Sequence, residues 1–300
     1  MDRRRFLKSS GSAVAAALVP GVVTRLAASA DSPLRAIRGG VGVFSAGRGG
    51  TIAWLVTPSS AVVVDTKFAD SARECLSALR AKTTRRLDAV LNTHHHGDHV
   101  SGNGVFRPEA ARIVAHRNVP DLQRKQSEER GTLAEQVYAD TLFDTDWKLD
   151  LDGEVVRGRH FGPAHTGGDA VFHFEKANVA HVGDLVFRGM VPYTDRPGGC
   201  RIAGWIDALE RVAEAYPKDT AYVFGHIAAG RDAVGERAEL LAMRDYLTGL
   251  AEYVRKGRAA GKSVDELAAA KSVPGFESYT AAWDGAVDLN VRVAWAELAV

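Results

Sequence analysis

The stretch Asn92-Thr93-His94-His95-His96-Gly97-Asp98-His99 constrains this chain more than any other, because it sets four imidazoles and a carboxylate in one short loop. The loop follows Leu87-Asp88-Ala89-Val90-Leu91, an apolar run short enough to be a buried strand. The histidines should therefore emerge at a strand's carboxyl end, where ligands collect in open α/β sheets. A lone histidine is most often a core or surface residue. Crowded groups that partly protonate near neutral pH are costly without a cation, and imidazole with carboxylate suits zinc or iron. A solvated polar tract is the plain alternative, but such tracts carry no fixed spacing.

The spacing His94-x-His96-x-Asp98-His99 resembles the metallo-β-lactamase superfamily, whose signature is HxHxDH. Further candidate ligands follow in the family's order. His165 lies in Gly162-Pro163-Ala164-His165-Thr166-Gly167-Gly168-Asp169, Asp184 closes His181-Val182-Gly183-Asp184, and His226 closes Val223-Phe224-Gly225-His226. The resemblance runs from about Ile37 to His226. It implies an α/β fold, a four-layer αββα sandwich of the metallo-β-lactamase type with a helical C-terminal tail. It also implies a ligand set: His94, His96 and His165 for a first metal, Asp98, His99 and His226 for a second, and Asp184 bridging them.

The implied cofactor is two Zn2+, with iron or manganese open to the same donors. Such a pair would share a water with its pKa lowered to about 7, and the hydroxide would attack a small acyl substrate such as a lactone, thioester or β-lactam-like amide. Asp98 would orient it and pass a proton to the leaving group. Family members with aspartate at the bridging position hydrolyse thioesters, lactones and phosphodiesters, so Asp184 argues against antibiotic hydrolysis as the main activity. Two other functions fit the resemblance: a mononuclear iron persulfide dioxygenase, and a non-catalytic metal-binding relay, disfavoured because all seven positions are filled. In the family an aspartate placed like Asp65 lies beneath the metal loop; a turn or cap role is an equal reading.

Residues 1–30 are set aside from the fold. Arg3-Arg4-Arg5-Phe6-Leu7-Lys8 precedes a mild apolar run over residues 13–19 and then Ala28-Ser29-Ala30, which has the small-x-small form of a cleavage site. The segment is similar to a twin-arginine export signal, which implies the twin-arginine export machinery as a partner, cleavage after Ala30 and a periplasmic or secreted product. The apolar run is too short to span a bilayer of about 30 Å, so no permanent membrane anchor is expected. An amphipathic surface helix or a basic tail is the alternative. The expected organisation is a signal peptide over 1–30 and a hydrolase domain over 31–300, with residues 232–300 as a helical extension. A net charge of +1 gives no case for a nucleic-acid partner.

Strand patterns recur over residues 41–44, 51–56 and 61–64, separated by Gly-rich or Pro-Ser turns. Ala72, Cys75, Leu76 and Leu79 recur at helical spacing, which predicts a helix over 70–81. Residues 112–116 read as another strand, 118–141 as solvated helix plus loop, and 155–161, 170–174, 179–182 and 221–224 as strands. A strong amphipathic helix is expected over 201–216, and Leu240, Leu241, Met243, Tyr246, Leu247 and Leu250 form one stripe in the tail, with further helical pieces over 264–270 and 288–298. The tail is expected to pack on the outside of the sandwich. His116, His160, His173 and His181 read as structural or surface residues, and alternation along the chain should point His95 away from the metal. Cys75 and Cys200 read as two free thiols, one of them buried. Substrate shape is left to the loops 126–146 and 190–202.

Overall fold

The computed structural model describes residues 33–298, so the expected export signal and its cleavage point lie outside the described residues. The first sheet is built from β1 (Leu34–Arg38), β2 (Val41–Phe44), β3 (Ile52–Val56) and β4 (Ala61–Val64), which pair antiparallel in chain order. After α1 (Ala69–Arg80) the chain changes direction rule. Strand β5 (Ala89–Asn92) lies parallel to β4 and runs into two single-turn helices, α2 (Gly97–Val100) and α3 (Asn103–Phe106). Strand β6 (Ile113–His116), helix α4 (Val119–Arg130) and strand β7 (Thr141–Phe143) complete a seven-stranded sheet.

Strand β8 (Asp146–Leu151) opens the second sheet, followed antiparallel by β9 (Glu154–Arg159), β10 (Val171–Phe174) and β11 (Val179–His181). The chain then passes through β12 (Phe187–Arg188) and α5 (Ile202–Ala215) to β13 (Ala221–Val223), which lies parallel to β11. Two short strands, β14 (His226–Ile227) and β15 (Val234–Gly235), precede the tail helices α6 (Arg237–Ala259), α7 (Val264–Ala268) and α8 (Ala286–Glu297). Strand β14 pairs with β12, setting His226 opposite Phe187.

The central strands are buried on both faces, and their apolar residues divide between them with period two. Val62, Val64, Ala89, Leu91 and Val114 face the second sheet, where they meet Phe172, Phe174, Val179 and Val223. Val63, Val90 and Ile113 turn the other way, onto Ala72, Cys75 and Leu79 of α1 and Phe106 of α3. On the far side of the second sheet, Val171, Ala180 and Tyr222 pack with Trp205, Leu209 and Val212 of α5 and with Leu240, Met243 and Leu247 of α6. Helix, sheet, sheet and helix are therefore the four layers, the sandwich expected from the resemblance, and a C-terminal helix closes the chain. Emptying any of these sites, as in Leu209→Ala, should cost about 2–5 kcal/mol.

Three local features depart from the sequence reading. Strands β7 and β8 were not anticipated: β8 alternates half-buried Trp147, Leu149 and Leu151 with exposed Asp146, Lys148 and Asp150, so its charges mask the period. Such charges suit an edge strand, which must resist pairing with other chains. Both thiols are free and both are buried; Cys200 follows a glycine-rich turn but packs into the α5–α6 core. The tail packs on the outer face of the second sheet as expected, with α6 sharing that core, but residues beyond it also reach the loop after β12. There, Val191 N–H donates to Thr280 O at 3.0 Å and Thr280 N–H to Gly189 O at 3.0 Å. No helix among the described residues is long and apolar enough to cross a membrane.

Candidate metal centre

Parallel strands place the site. Strands β4 and β5 end side by side, delivering Asp65 and the His94–His99 loop, while β11 and β13 end side by side, delivering Asp184 and His226. Ala170 N–H donates to Thr93 O at 2.8 Å and so ties the turn carrying His165 to the same loop. All seven residues singled out in the sequence converge. Ligand atoms of His94, His96, His165 and Asp184 lie within 4.8 Å of one another, as do those of Asp98, His99 and His226. Asp184 spans the two groups: one carboxylate oxygen is 3.5 Å from His165 Nε2 and 3.2 Å from His226 Nε2, the other 3.0 Å from His99 Nε2. This approach needs a glycine at 225, because a Cβ there would fall 1.9 Å from Asp184 Oδ1.

Surrounding hydrogen bonds decide which imidazole nitrogen faces inward. Thr93 Oγ1 donates to Asp65 Oδ2 at 2.8 Å, so it is left to accept from His94 Nδ1–H at 3.0 Å, and His94 turns a bare Nε2 to the centre. His99 Nδ1–H donates to the same Asp65 oxygen at 2.7 Å, which turns Nε2 toward the centre and leaves its lone pair free once the ring loses its extra proton. His96 is reversed: its Nε2–H donates to Asp195 Oδ2 at 2.9 Å, freeing Nδ1. Asp65 itself sits at φ 65°, a left-handed conformation costing about 1–2 kcal/mol. Its carboxylate also accepts the Thr93 N–H at 2.7 Å, and these bonds hold it there. Asp65 therefore supports the loop from beneath rather than merely closing a turn.

The donor set fits a cation. His94 Nε2 and His165 Nε2 each lie 3.0 Å from His96 Nδ1, so the bare lone pairs of His94 and His96 face each other. Asp184 Oδ1 is buried and, though 3.0 Å from His99 Nε2, makes no well-aligned hydrogen bond among the described residues. Nitrogen and carboxylate oxygen at this density are the ligands of zinc, and also of iron or manganese.

The two groups differ electrostatically. Burial, then the neighbouring His99, hold His94 well below the ordinary imidazole range, and burial with His96 pulls His165 down to about 3. Burial also opposes charge on His226, but Asp184 and Asp98 outweigh it and lift the ring to about 9. His99 is raised for the same reason. Without metal, protons on His99 and His226 balance the two carboxylates; with metal, they must leave.

Several contributors were not singled out in the sequence. Asp195 is a lone aspartate in the 190–202 loop, with no local signal to link it to His96. His95 turns away from the four-ligand group, as alternation predicts, yet its Nε2 lies 3.5 Å from Asp195. Lys67 is buried and donates to the carbonyls of Gly49 and Gly50, with burial drawing its pKa down to about 8. Gly50 N–H in turn donates to Asp98 O at 3.1 Å. Asn92 and Asn103 exchange side-chain hydrogen bonds of 3.0 and 2.9 Å, clasping the base of the loop. His116 is buried and stacks on His160 at 4.0 Å, away from the centre.

The centre opens into a cavity of about 280 Å³ bordered by Asp98, Asp184, His226, Arg130, Phe187, Met190, Tyr193 and Trp283. Both loops left to decide substrate shape border it, and so does the tail through Trp283.

A family model described as the metallo-beta-lactamase superfamily matches residues 46–274. A hydroxyacylglutathione hydrolase of Crocosphaera subtropica is 33% identical over 142 residues, covering 47% of this chain and 48% of that protein. Among solved structures, the sec-alkylsulfatase Pisa1 from Pseudomonas sp. aligns with TM-score 0.69 and 14% identity over 88% of this chain and 50% of its own. A metallo-beta-lactamase from Pontibacter korlensis aligns with TM-score 0.60 and 19% identity over 72% of this chain and 98% of its own. At such identities the structural likenesses speak for the fold alone. The chain spans about half the length of that curated hydrolase and of that sulfatase.

Proposed function

The chain belongs to the metallo-beta-lactamase superfamily, and from that premise we propose that it is an exported hydrolase holding two metal ions, zinc in the first instance, and cleaving a small acyl substrate. The observation that carries the reading is Asp184, whose two oxygens approach histidines of both groups, 3.5 Å from His165 and 3.0 Å from His99. His94, His96 and His165 would hold one ion and Asp98, His99 and His226 the other. When bound, the pair supplies Lewis-acid polarisation of the acyl carbonyl and an activated water.

The chain's own residues do the rest. Asp65 and Asp195 hold His99 and His96 in the tautomers that turn lone pairs inward. Asp98 is a quarter exposed to the cavity, and its Oδ2 lies 3.0 Å from His226 Nε2. Burial would raise its carboxyl, but His99 and His226 outweigh that and hold it well below the usual carboxylate range in the metal-free chain, so it would orient the activated water and relay a proton to the departing group only in passing. Phe187, Met190, Tyr193 and Trp283 give the cavity an apolar and aromatic wall. The name of the curated relative, hydroxyacylglutathione hydrolase, puts thioesters first among acyl candidates. The motif over residues 3–8 and the Ala28-Ser29-Ala30 step support export, with a hydrolase domain following over 31–300.

Elemental analysis of protein from its native host, coupled to thioester, lactone, ester and β-lactam panels, tests the reading. About two zinc ions per chain, with hydrolysis abolished by chelation and restored by zinc, is the expected outcome. A single iron with oxygen uptake would overturn it, and so would a metal-loaded protein inert to every panel member. Export predicts an amino terminus at Asp31; an intact Met1 or Asp2 in the recovered protein would refute the cleavage.

A further inference from the structure

We propose that Arg130 anchors a carboxylate on the substrate, so that the enzyme prefers anionic acyl compounds over neutral ones. The inference rests on the hydrolase reading above and narrows its substrate class. Arg130 ends α4 just before Gly131, whose φ of 67° turns the chain away and leaves the side chain at the helix's carboxyl end. A cation is favoured there by the helix dipole. Gln126, one turn earlier, accepts the Gly97 N–H at 3.3 Å, so α4 is tied to the metal loop itself. The guanidinium consequently lies over that loop: a Cβ on Gly97 would be 3.6 Å from Arg130 Nη1.

Its chemistry is unspent. Arg117, Arg157, Arg159 and Arg188 all pair with carboxylates, whereas Arg130 makes no ion pair or hydrogen bond among the described residues. It borders the cavity holding Asp98, Asp184 and His226 and also two adjoining clefts, of about 730 and 280 Å³. The acids in the central cavity, Asp98 and Asp184, belong to the candidate ligand set and would be taken up by the ions, and the remaining wall is largely apolar or aromatic. Leaving aside His226, which belongs to the candidate ligand set, Arg130 is the one cationic side chain on that wall among the described residues. A planar guanidinium suits a carboxylate through two parallel hydrogen bonds.

The test compares three thioesters on the zinc-loaded enzyme: a neutral S-phenyl butanoate, its analogue with a carboxylate on the acyl side (S-phenyl hemisuccinate), and its analogue with a carboxylate on the leaving thiol (from 4-mercaptobenzoate). One anionic member should be preferred in kcat/KM, and Arg130→Gln should raise its KM about tenfold, the worth of a charge-assisted bond, with kcat and the neutral thioester little changed. Arg130→Lys should fall between, keeping charge but losing the fork. No preference for either anion, or equal losses on neutral and anionic members, would overturn the inference while leaving the hydrolase reading intact. If none of the three is hydrolysed, that reading is what fails. Calorimetric binding of benzoate then decides the subsite: weaker binding to Arg130→Gln supports it, and equal binding rejects it.

Discussion

The tri-histidine group and the Asp98–His99–His226 group share Asp184 but are built differently. His94, His96 and His165 are at most 5% exposed, and His94 and His165 are driven to neutrality by burial. Asp98 and His226 keep about a quarter of their side-chain surface open to the cavity, and their charges compensate one another. The contrast teaches a division of labour. The dry group, with His94 and His165 already neutral, is ready to take a cation with less proton release, while the open group must exchange protons for its cation and can meet substrate.

The most disruptive change expected is Asp184→Asn, which removes the carboxylate common to both groups. Activity should drop by well over about a hundredfold, more than loss of an outer supporting residue usually costs. One ion should remain on the tri-histidine group, counted by elemental analysis; loss of both would erase the distinction between the groups. Next come the two carboxylates that hold tautomers. Asp65→Asn sets an amide donor among the Thr93 and His99 donors, so the open group should bind its ion about 10–100-fold more weakly. The same change should cost about 1–3 kcal/mol of stability, read by denaturant unfolding. Asp195→Asn should act instead on the ion held by His96. Equal effects of both variants on both ions would break the comparison.

Proton competition sharpens it further. Because the metal-free His226 titrates near 9, its ring is charged at pH 7 and must lose a proton to bind metal. Affinity of the open group should therefore rise with pH up to about 9, by about tenfold per unit for each proton expelled. His165, at about 3, is already neutral, so it adds no such slope to the tri-histidine group above pH 5. Zinc titrations at pH 6, 7 and 8 in buffers of different ionisation heat would show both; a flat second step is the outcome that sinks the assignment. Smallest is Trp283→Ala at the cavity rim. With 39% of its surface exposed, it should raise KM a few-fold and leave unfolding nearly unchanged, within about 0.5 kcal/mol.

Legibility tracked distance along the chain. The His94–His99 loop could be read because its donors are neighbours and their spacing is chemical information. Asp184 and His226 could be named through the ligand order that the family resemblance implies, each after a strand-like run, and pairing of β11 with β13 brings their ends together. Asp195 could not: it lies 99 residues from the histidine it orients, in a loop without periodicity. Strand β8 was hidden by its own charges, and Cys200 by a glycine-rich context that reads as surface.

By itself, then, the sequence determined the donor types, their order and the α/β alternation, because these follow from side-chain chemistry and from periods of a few residues. Only the tertiary structure decided which nitrogen each ring presents, which imidazoles stay neutral, and that Arg130 and Trp283 share one cavity with Asp184. Those outcomes depend on desolvation and on contacts between segments far apart in the chain, and no local pattern records either.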